Sequence, residues 1–337
     1  MKLPQLRDFN FINKRVLVRC DFDVPLRQAQ GRFLLADDIR IKQCLPTIEY
    51  LLKNRAQVIL LGHLGRPKGQ EKSLSLAPVA KHLKKLLKRK GKVESISYLG
   101  KLDDNLYLLE NLRFDKGEEK NEPQFAKKLA EMGDFYVNEA FASSHRKHAS
   151  IVSLPKLLPH CAGFHFIEEV ENLSKAIENP QRPLVMIIGG AKPEDKLPKV
   201  WQLAQEADFV LVGGTLVRER LRVKENVIFA DLRESGLDIS EKSAKEFGET
   251  IKKAQTIVWN GPMGKYEDKG TQEGTKKIAE AIVKTKAFKI VGGGDTIAAL
   301  TKFGLLGKMD YVSTGGGAML EFLTQGTLPG IEALKSN

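Results

Sequence analysis

Short apolar runs recur along the chain, each closed by glycine or by polar residues, with amphipathic stretches between them. Arg15–Cys20, Gln57–Leu61, Leu106–Leu109 and Phe135–Asn138 make up an early set. Val185–Ile188, Phe209–Val212, Val227–Ala230, Thr256–Trp259, Phe288–Val291 and Tyr311–Ser313 make up a later one. Runs of this kind suit strands buried on both faces of a parallel sheet. Ile41, Leu45, Ile48 and Leu52 share one face of a helix that Asp37 or Asp38 can cap and that runs to about Asn54. Phe166–Asn179 reads as another amphipathic helix, closed by Pro180 and Pro183. Strands alternating with helices predict βαβ units and a doubly wound parallel sheet, an α/β fold. At 337 residues the chain is comfortable as two domains. Pro155 and Pro159 mark a composition break, and the helix after it is the expected bridge.

Ligands of open α/β sheets bind at the carboxyl ends of the strands, and the polar residues of this chain collect there. The first strand delivers Asp21 and Asp23 in DFDVP. Arg40 falls in the first turn of the next helix, where a cation opposes the dipole and requires an anion nearby. His63 and Arg66 lie on the glycine-punctuated GHLGRP loop, Arg113 follows the third strand, and His145, Arg146 and His148 follow the next. Arg40, Arg66, Arg113 and Arg146 thus converge on one sheet edge. Their guanidinium forks suit a substrate bearing both carboxylate and phosphate.

The later set carries a different chemistry. LVMIIGGAKPEDK is a strand, two glycines and a helix start, with Pro193 in the first turn and Lys192 and Lys196 at the positive helix end. That is a strong anion site. NGPMGKYE offers Asn260 and Glu267; GGGDT offers the amides of Gly293 and Gly294, a hydroxyl at Thr296 and, at Asp295, a carboxylate that could ligate Mg²⁺; TGGGAM opens the last helix. With Gly213-Gly214 these glycine-rich strand ends point to a nucleotide.

Composition narrows the picture. With 42% apolar and 28% charged residues the chain has the balance of a soluble globular protein. No apolar run reaches bilayer length and MKLPQLRDF lacks an apolar signal core, so the cytoplasm is the expected location. Cys20, Cys44 and Cys161 are too few and too scattered for a disulfide framework or zinc site. The net charge of +12 favours anionic partners. The lysine-rich 81–92 stretch has an apolar stripe at Leu83, Leu86 and Leu87 and no aromatic interleaving, which favours a solvated helix face over an RNA patch. No ordinary P-loop, dinucleotide fingerprint, HExxH, nucleophile elbow or protein-kinase signature occurs.

Nearly end to end, the chain resembles the phosphoglycerate kinase family. The resemblance is carried by VLVRCDFDVPL, HLGRPKG, LLENLRFDKGEE, YVNEAFASSHRKHAS, GGAKPEDK, VWNGPMGKYE, GGGDT and STGGGAMLEFL. It implies two Rossmann-like domains facing a cleft: residues 1–160 for phosphoglycerate, a helix at 161–180, residues 181–325 for the nucleotide, and a tail at 326–337 returning to the first domain. It implies transfer between 1,3-bisphosphoglycerate and Mg-ADP, giving 3-phosphoglycerate and ATP, by a monomer with neither nucleic acid nor membrane as partner. Carried over by position, Asp21, Phe22, Asp23, Arg40, His63, Leu64, Gly65, Arg66, Arg113 and Arg146 belong to the acid-sugar side. Lys196, Gly213, Asn260, Glu267, Gly293, Gly294, Asp295 and Thr296 belong to the nucleotide side, with Asp295 on Mg²⁺ and Glu267 on the ribose. Arg40, Lys192, Lys196 and Gly315, Gly316 and Gly317 would form the catalytic set around the transferring phosphoryl group.

The chain also departs from the family. Asp23 stands where Asn is usual, either to orient a neighbouring arginine or as a tolerated swap. Gly62, Ala142, Pro193-Glu194 and Lys265 differ as well. The chain is several tens of residues shorter than typical members, with the losses between Tyr98 and Leu106 and between Gly214 and Thr256. These should trim an edge strand and a helix and loosen base recognition. Against an active phosphotransferase stand a binding module that has lost turnover, a basic nucleic-acid-binding protein and, more distantly, a two-domain dehydrogenase.

Overall fold

The computed structural model describes residues 2–29, 32–35, 38–88, 99–219 and 224–335. It divides into two compact units, Met1–Val170 with Leu328–Asn337, and Glu171–Thr327. Asp37 and the end of the lysine-rich 81–92 stretch lie outside the described residues.

The first unit runs β1 (Arg15–Arg19), a β2–β3 hairpin (Leu26–Ala29, Arg32–Leu35), α1 (Ile39–Lys53), β4 (Gln57–Leu61) and α2 (Ala77–Leu86). It continues through β5 (Leu99–Asp103), β6 (Leu106–Leu109), α3 (Lys116–Glu119), α4 (Pro123–Ala130), β7 (Phe135–Asn138), β8 (His160–Ala162) and the start of α5 (Phe164–Ser174), whose last residues belong to the second unit. The sheet order is β5-β6-β4-β1-β7-β8. The pairs are parallel except β5 with β6, a departure from the expected all-parallel sheet. Asp104 and Asn105 alone join those two strands, and a parallel pair needs a far longer crossover. Val16 and Val18 of β1, Val58 and Leu60 of β4, and Ile41 and Ile48 of α1 meet in one core from which water is excluded. Each such side chain contributes about 1.5–3 kcal/mol by burial.

Two sequence expectations need correction. Asp38 occupies the cap position of α1, but its carboxylate makes no cap hydrogen bond and instead pairs with Lys42 and His82, each at 2.8 Å. Helix α5 begins at Phe164 and stops at Ser174, short of Asn179. The next residues close into turns, Ala176 N donating to Leu173 O and Glu178 N to Ser174 O.

The second unit runs β9 (Leu184–Ile188), α6 (Pro193–Glu206), β10 (Phe209–Val212), β11 (Val227–Phe229), α7 (Glu241–Ile251) and β12 (Thr256–Asn260). It continues through α8 (Glu273–Val283), β13 (Phe288–Gly292), α9 (Gly294–Lys302), β14 (Tyr311–Ser313) and α10 (Gly316–Gln325). Its sheet, β11-β10-β9-β12-β13-β14, is wholly parallel, with β9 and β12 buried throughout. The edge strand β11 falls within the Val227–Ala230 run expected as a strand. What precedes it is a 3₁₀ helix, Gly214–Glu219, rather than an α-helical crossover among the described residues. Helix α11 (Pro329–Lys335) belongs to the first unit, where Gly330 N donates to Ser144 O at 2.9 Å and Ile331 and Leu334 are buried. No described helix is long and apolar enough to cross a membrane.

In each sheet the strand order reverses once, between β1 and β7 in the first and between β9 and β12 in the second. Such switch points open a crevice at the carboxyl ends of the strands.

Candidate active site

In the first unit, the residues after β1, β4, β6 and β7 form one connected set. Arg40 donates to the main-chain oxygen of Asp23 at 2.7 Å and pairs with the Asp21 carboxylate at 3.3 Å. Asp21 is therefore the anion that a cation in the first turn of α1 requires. Asp23 accepts the amide of Gly65 on Oδ1 at 2.9 Å, and the Gly65 carbonyl accepts from Nη1 of Arg113 at 2.6 Å. The Asp23 side chain thus anchors the loop after β4, and it is its main-chain oxygen that accepts from Arg40. Gly65 has φ +64°, and a Cβ there would lie 2.8 Å from Leu74.

His63 is buried and its Nδ1 lies 2.8 Å from Nη2 of Arg19. Since arginine can only donate, Nδ1 accepts and Nε2 carries the ring proton. Nε2 lies 3.7 Å from Asp23 Oδ2. Burial, then Arg19, Arg113, His148 and Arg146, hold the ring well below its usual pKa, so it is neutral. Burial, reinforced by Arg146, likewise lowers Arg113 to about 10, although Glu119 stands 3.1 Å from its Nε. His148 is pushed down to about 3 by burial and by Arg113 and Arg19. Arg146 donates to His145 at 3.3 Å. Arg66 is exposed, and its side chain makes no hydrogen bond or ion pair among the described residues.

Phe22 and Leu64 do not present side chains to this set. Both are buried in the core, and the Leu64 carbonyl accepts from Asn111 at 2.8 Å. Gly62 is explained by Phe22: a Cβ at that position would fall 2.4 Å from the ring. Ala142, half-buried, gets no such account.

Sequence reasoning missed the layer that holds this set. Arg19 is fully buried at the end of β1 and donates from Nε to Ser150 Oγ at 2.9 Å, besides contacting the Cys20 carbonyl. Glu118, equally buried, accepts from Ser150 N at 2.9 Å and Oγ at 2.6 Å, and burial raises its pKa. The available signal was a charged residue inside RVLVR, a strand otherwise read as buried on both faces.

In the second unit, Asn260 at the end of β12 is the hub. Its Oδ1 accepts from Lys196 Nζ at 3.0 Å, and its Nδ2 donates to Gly316 O at 3.3 Å. Lys196 also donates to Gly189 O at 2.7 Å; burial lowers it to about 8, with Asp295 opposing. Lys192 is the cap residue of α6 and adopts a left-handed conformation, φ 69° and ψ 71°. For a residue with a side chain this costs on the order of 1 kcal/mol. Gly293 caps α9 at φ 92° and Gly315 caps α10. A Cβ at Gly316 would lie 3.2 Å from the Gly293 Cα, so these two helix starts are side by side. The N-termini of α6, α9 and α10 therefore lie near Lys196, each a positive dipole end whose first amides have no partner within the helix; the Gly315 amide donates to Ser313 Oγ at 3.2 Å.

Asp295 and Glu267 are exposed. Thr296 differs from expectation: its hydroxyl is buried and accepts the Gly261 amide at 2.7 Å, so it secures the turn after β12. Gly213 is buried, and what its missing side chain accommodates is Met263, whose sulfur would lie 2.5 Å from a Cβ. The described residues include no group of three or more His, Cys, Asp or Glu side chains able to hold a metal by themselves. All three cysteines are free and buried.

The phosphoglycerate kinase family model matches residues 6–235 and 218–326. A phosphoglycerate kinase of Thermosipho africanus is 39% identical over 398 positions, covering 99% of this chain and 98% of the relative. One of Dictyoglomus turgidum is 39% identical over 390 positions, with 98% of each covered. Those alignments are longer than this chain of 337 residues, so the relatives carry segments it lacks. Among solved structures, phosphoglycerate kinase from Pyrococcus horikoshii superposes with a TM-score of 0.84 at 29% identity, covering 99% of this chain and 98% of that one. That from Coxiella burnetii gives 0.80 at 34%, with 99% of each covered.

Proposed function

This chain belongs to the phosphoglycerate kinase family, and on that premise we propose which residues perform the family's phosphoryl transfer between 1,3-bisphosphoglycerate and ADP, giving 3-phosphoglycerate and ATP. The acid-sugar binds the first unit. Arg113, Arg66, Arg146 and the Nε2–H of neutral His63 receive the phosphate that stays on the substrate. Arg40, steadied by Asp21 and Asp23, serves the reacting end.

The nucleotide binds the second unit. Lys196, Asn260 and the amides of Gly293 and Gly294 receive phosphate oxygens, while Glu267 accepts from the ribose. Gly213 and Thr296 shape the site through packing. Asp295 suits Mg²⁺, since it is exposed, makes no ion pair among the described residues, and opens α9 beside the Gly293 and Gly294 amides. Magnesium is held by one or two carboxylates together with substrate phosphates and water. When bound, it would neutralise charge on the β- and γ-phosphates.

Transfer is in line, from an acyl phosphate to a phosphate oxygen of ADP, and a carboxylate leaving group needs no strong general acid. The protein has to align the partners and neutralise charge. Arg40, Lys192 and the amides of Gly315, Gly316 and Gly317 do the latter in this reading. The observation that carries it is the convergence of three helix N-termini and a half-buried lysine on Asn260, a site suited to several phosphate oxygens. We propose that the enzyme acts as a cytoplasmic monomer, its positive charge serving phosphorylated substrates rather than nucleic acid.

A coupled assay with 3-phosphoglycerate, Mg²⁺ and ATP tests the assignment. The expected result is turnover that falls by about 10²–10³ in Arg40→Met or Lys192→Met, the size of one lost preorganised donor. Tight 3-phosphoglycerate binding without turnover would favour the binding-module alternative.

A further inference from the structure

The loop from Gly261 to Glu267, which follows β12, is fixed almost one residue at a time. Gly261 donates its amide to Thr296 at 2.7 Å and accepts on its carbonyl from the Trp259 indole at 2.7 Å. Thr275, in the first turn of α8, accepts the amides of Met263 and Gly264 at 3.0 and 3.1 Å. Lys265 N donates to Leu237 O at 2.8 Å, and Lys265 O accepts from the Thr271 hydroxyl at 2.7 Å. All these anchors are neutral. At the end of the loop the anchor changes character: the Lys302 ammonium donates to the carbonyls of both Tyr266 and Glu267, at 2.8 and 2.9 Å.

Lys302 ends α9, the helix whose first turn carries Asp295. Seven residues of helix separate the two by about 10 Å along the axis, a span of the order of that between a nucleotide's ribose and its terminal phosphates. We propose that Lys302 is a positioning residue. Through α9 it sets Glu267 at a fixed distance from Asp295, so that ribose and phosphates are gripped in register. The inference rests on the assignment of Glu267 and Asp295 to the nucleotide. Its physical basis is that a charged donor holds two carbonyls more firmly than a neutral one. Methionine matches the length of lysine and offers no donor.

The test compares wild type, Lys302→Met, Lys302→Arg, Glu267→Ala and the Lys302→Met/Glu267→Ala pair, using ATP and 2′,3′-dideoxy-ATP as alternative substrates. In Lys302→Met, KM for ATP should rise roughly three- to tenfold, with KM for 3-phosphoglycerate, kcat and the unfolding temperature little changed. Lys302→Arg should restore most of the loss. The double variant should be no worse than Glu267→Ala, because the two act on one contact, and the Lys302→Met effect should vanish with dideoxy-ATP. An equal effect on both nucleotides, or a rise in KM for 3-phosphoglycerate, would make Lys302 a structural residue only. If Glu267→Ala weakens ATP while Lys302→Met does not, the positioning role falls and the ribose assignment stands. If Glu267→Ala leaves ATP unaffected, the ribose assignment fails and takes this inference with it.

Discussion

Nη2 of Arg19 lies 2.8 Å from Nδ1 of His63, and both side chains are buried below the strand ends of the first unit. The contact decides which nitrogen of His63 bears hydrogen, and so whether the ring offers a donor to an anionic substrate. Arg19 also holds Ser150, which in turn satisfies Glu118. Arg19→Met should lower stability to urea by about 3 kcal/mol, because it strips a buried network of its cation. It should also raise KM for 3-phosphoglycerate. A destabilised variant with an unchanged KM would mean that the His63 tautomer is set by something else.

Lys196 is held near 8 by burial, with Asp295 partly offsetting the loss. Below that pH the ammonium is intact; above it the proton leaves, and with it the attraction for phosphate. The ratio kcat/KM for ATP should therefore decline on the alkaline side with an apparent pKa near 8. Bound phosphates favour the charged form, so the corresponding limb in kcat should lie higher. A flat kcat/KM profile from about pH 7 to 9.5 would contradict this.

Asp23 places a carboxylate in a site otherwise built of cations, where it steadies Gly65 through one oxygen. Asparagine keeps an acceptor for that amide and removes the charge. Asp23→Asn is thus expected to lower KM for 3-phosphoglycerate roughly threefold to tenfold, the scale of one unit charge at several ångströms in a partly solvated site. Asp23→Ala, which also loses the anchor, should raise KM. Identical steady-state constants for wild type and Asp23→Asn would leave the aspartate as a tolerated swap.

Base selectivity is expected to be loose. Lys265 is exposed and pairs with Asp268 at 2.8 Å, Leu237 beside it is exposed, and the connection before β11 is a 3₁₀ helix. The kcat/KM values for GTP and ATP should be comparable. Strict preference for ATP would show that the base is gripped elsewhere.

Much of this was written locally. The apolar runs of β1, β4, β9, β12 and β13, the glycine-rich strand ends, and the cation at Arg40 with its need for a nearby anion follow from period, composition and helix electrostatics. Those forces act over a few residues, and a sequence displays them directly. The antiparallel β5 was hidden because strand direction depends on how few residues join it to β6. The role of Gly62 was hidden for a related reason: the ring of Phe22 that crowds it is forty positions away in sequence and meets it just past the ends of the paired strands β1 and β4.

The chain by itself determined which chemistry gathers at the strand ends: arginines and a histidine in one half, lysines and backbone amides in the other. Only the tertiary structure decided the protonation and grip of those groups. His63 is neutral because it is buried with Arg19 beneath it, Lys196 is lowered to about 8 because burial withdraws its water, and the Asp23 carboxylate is engaged by the Gly65 amide. Burial and long-range hydrogen bonds set these properties, and both depend on which segments the fold brings together.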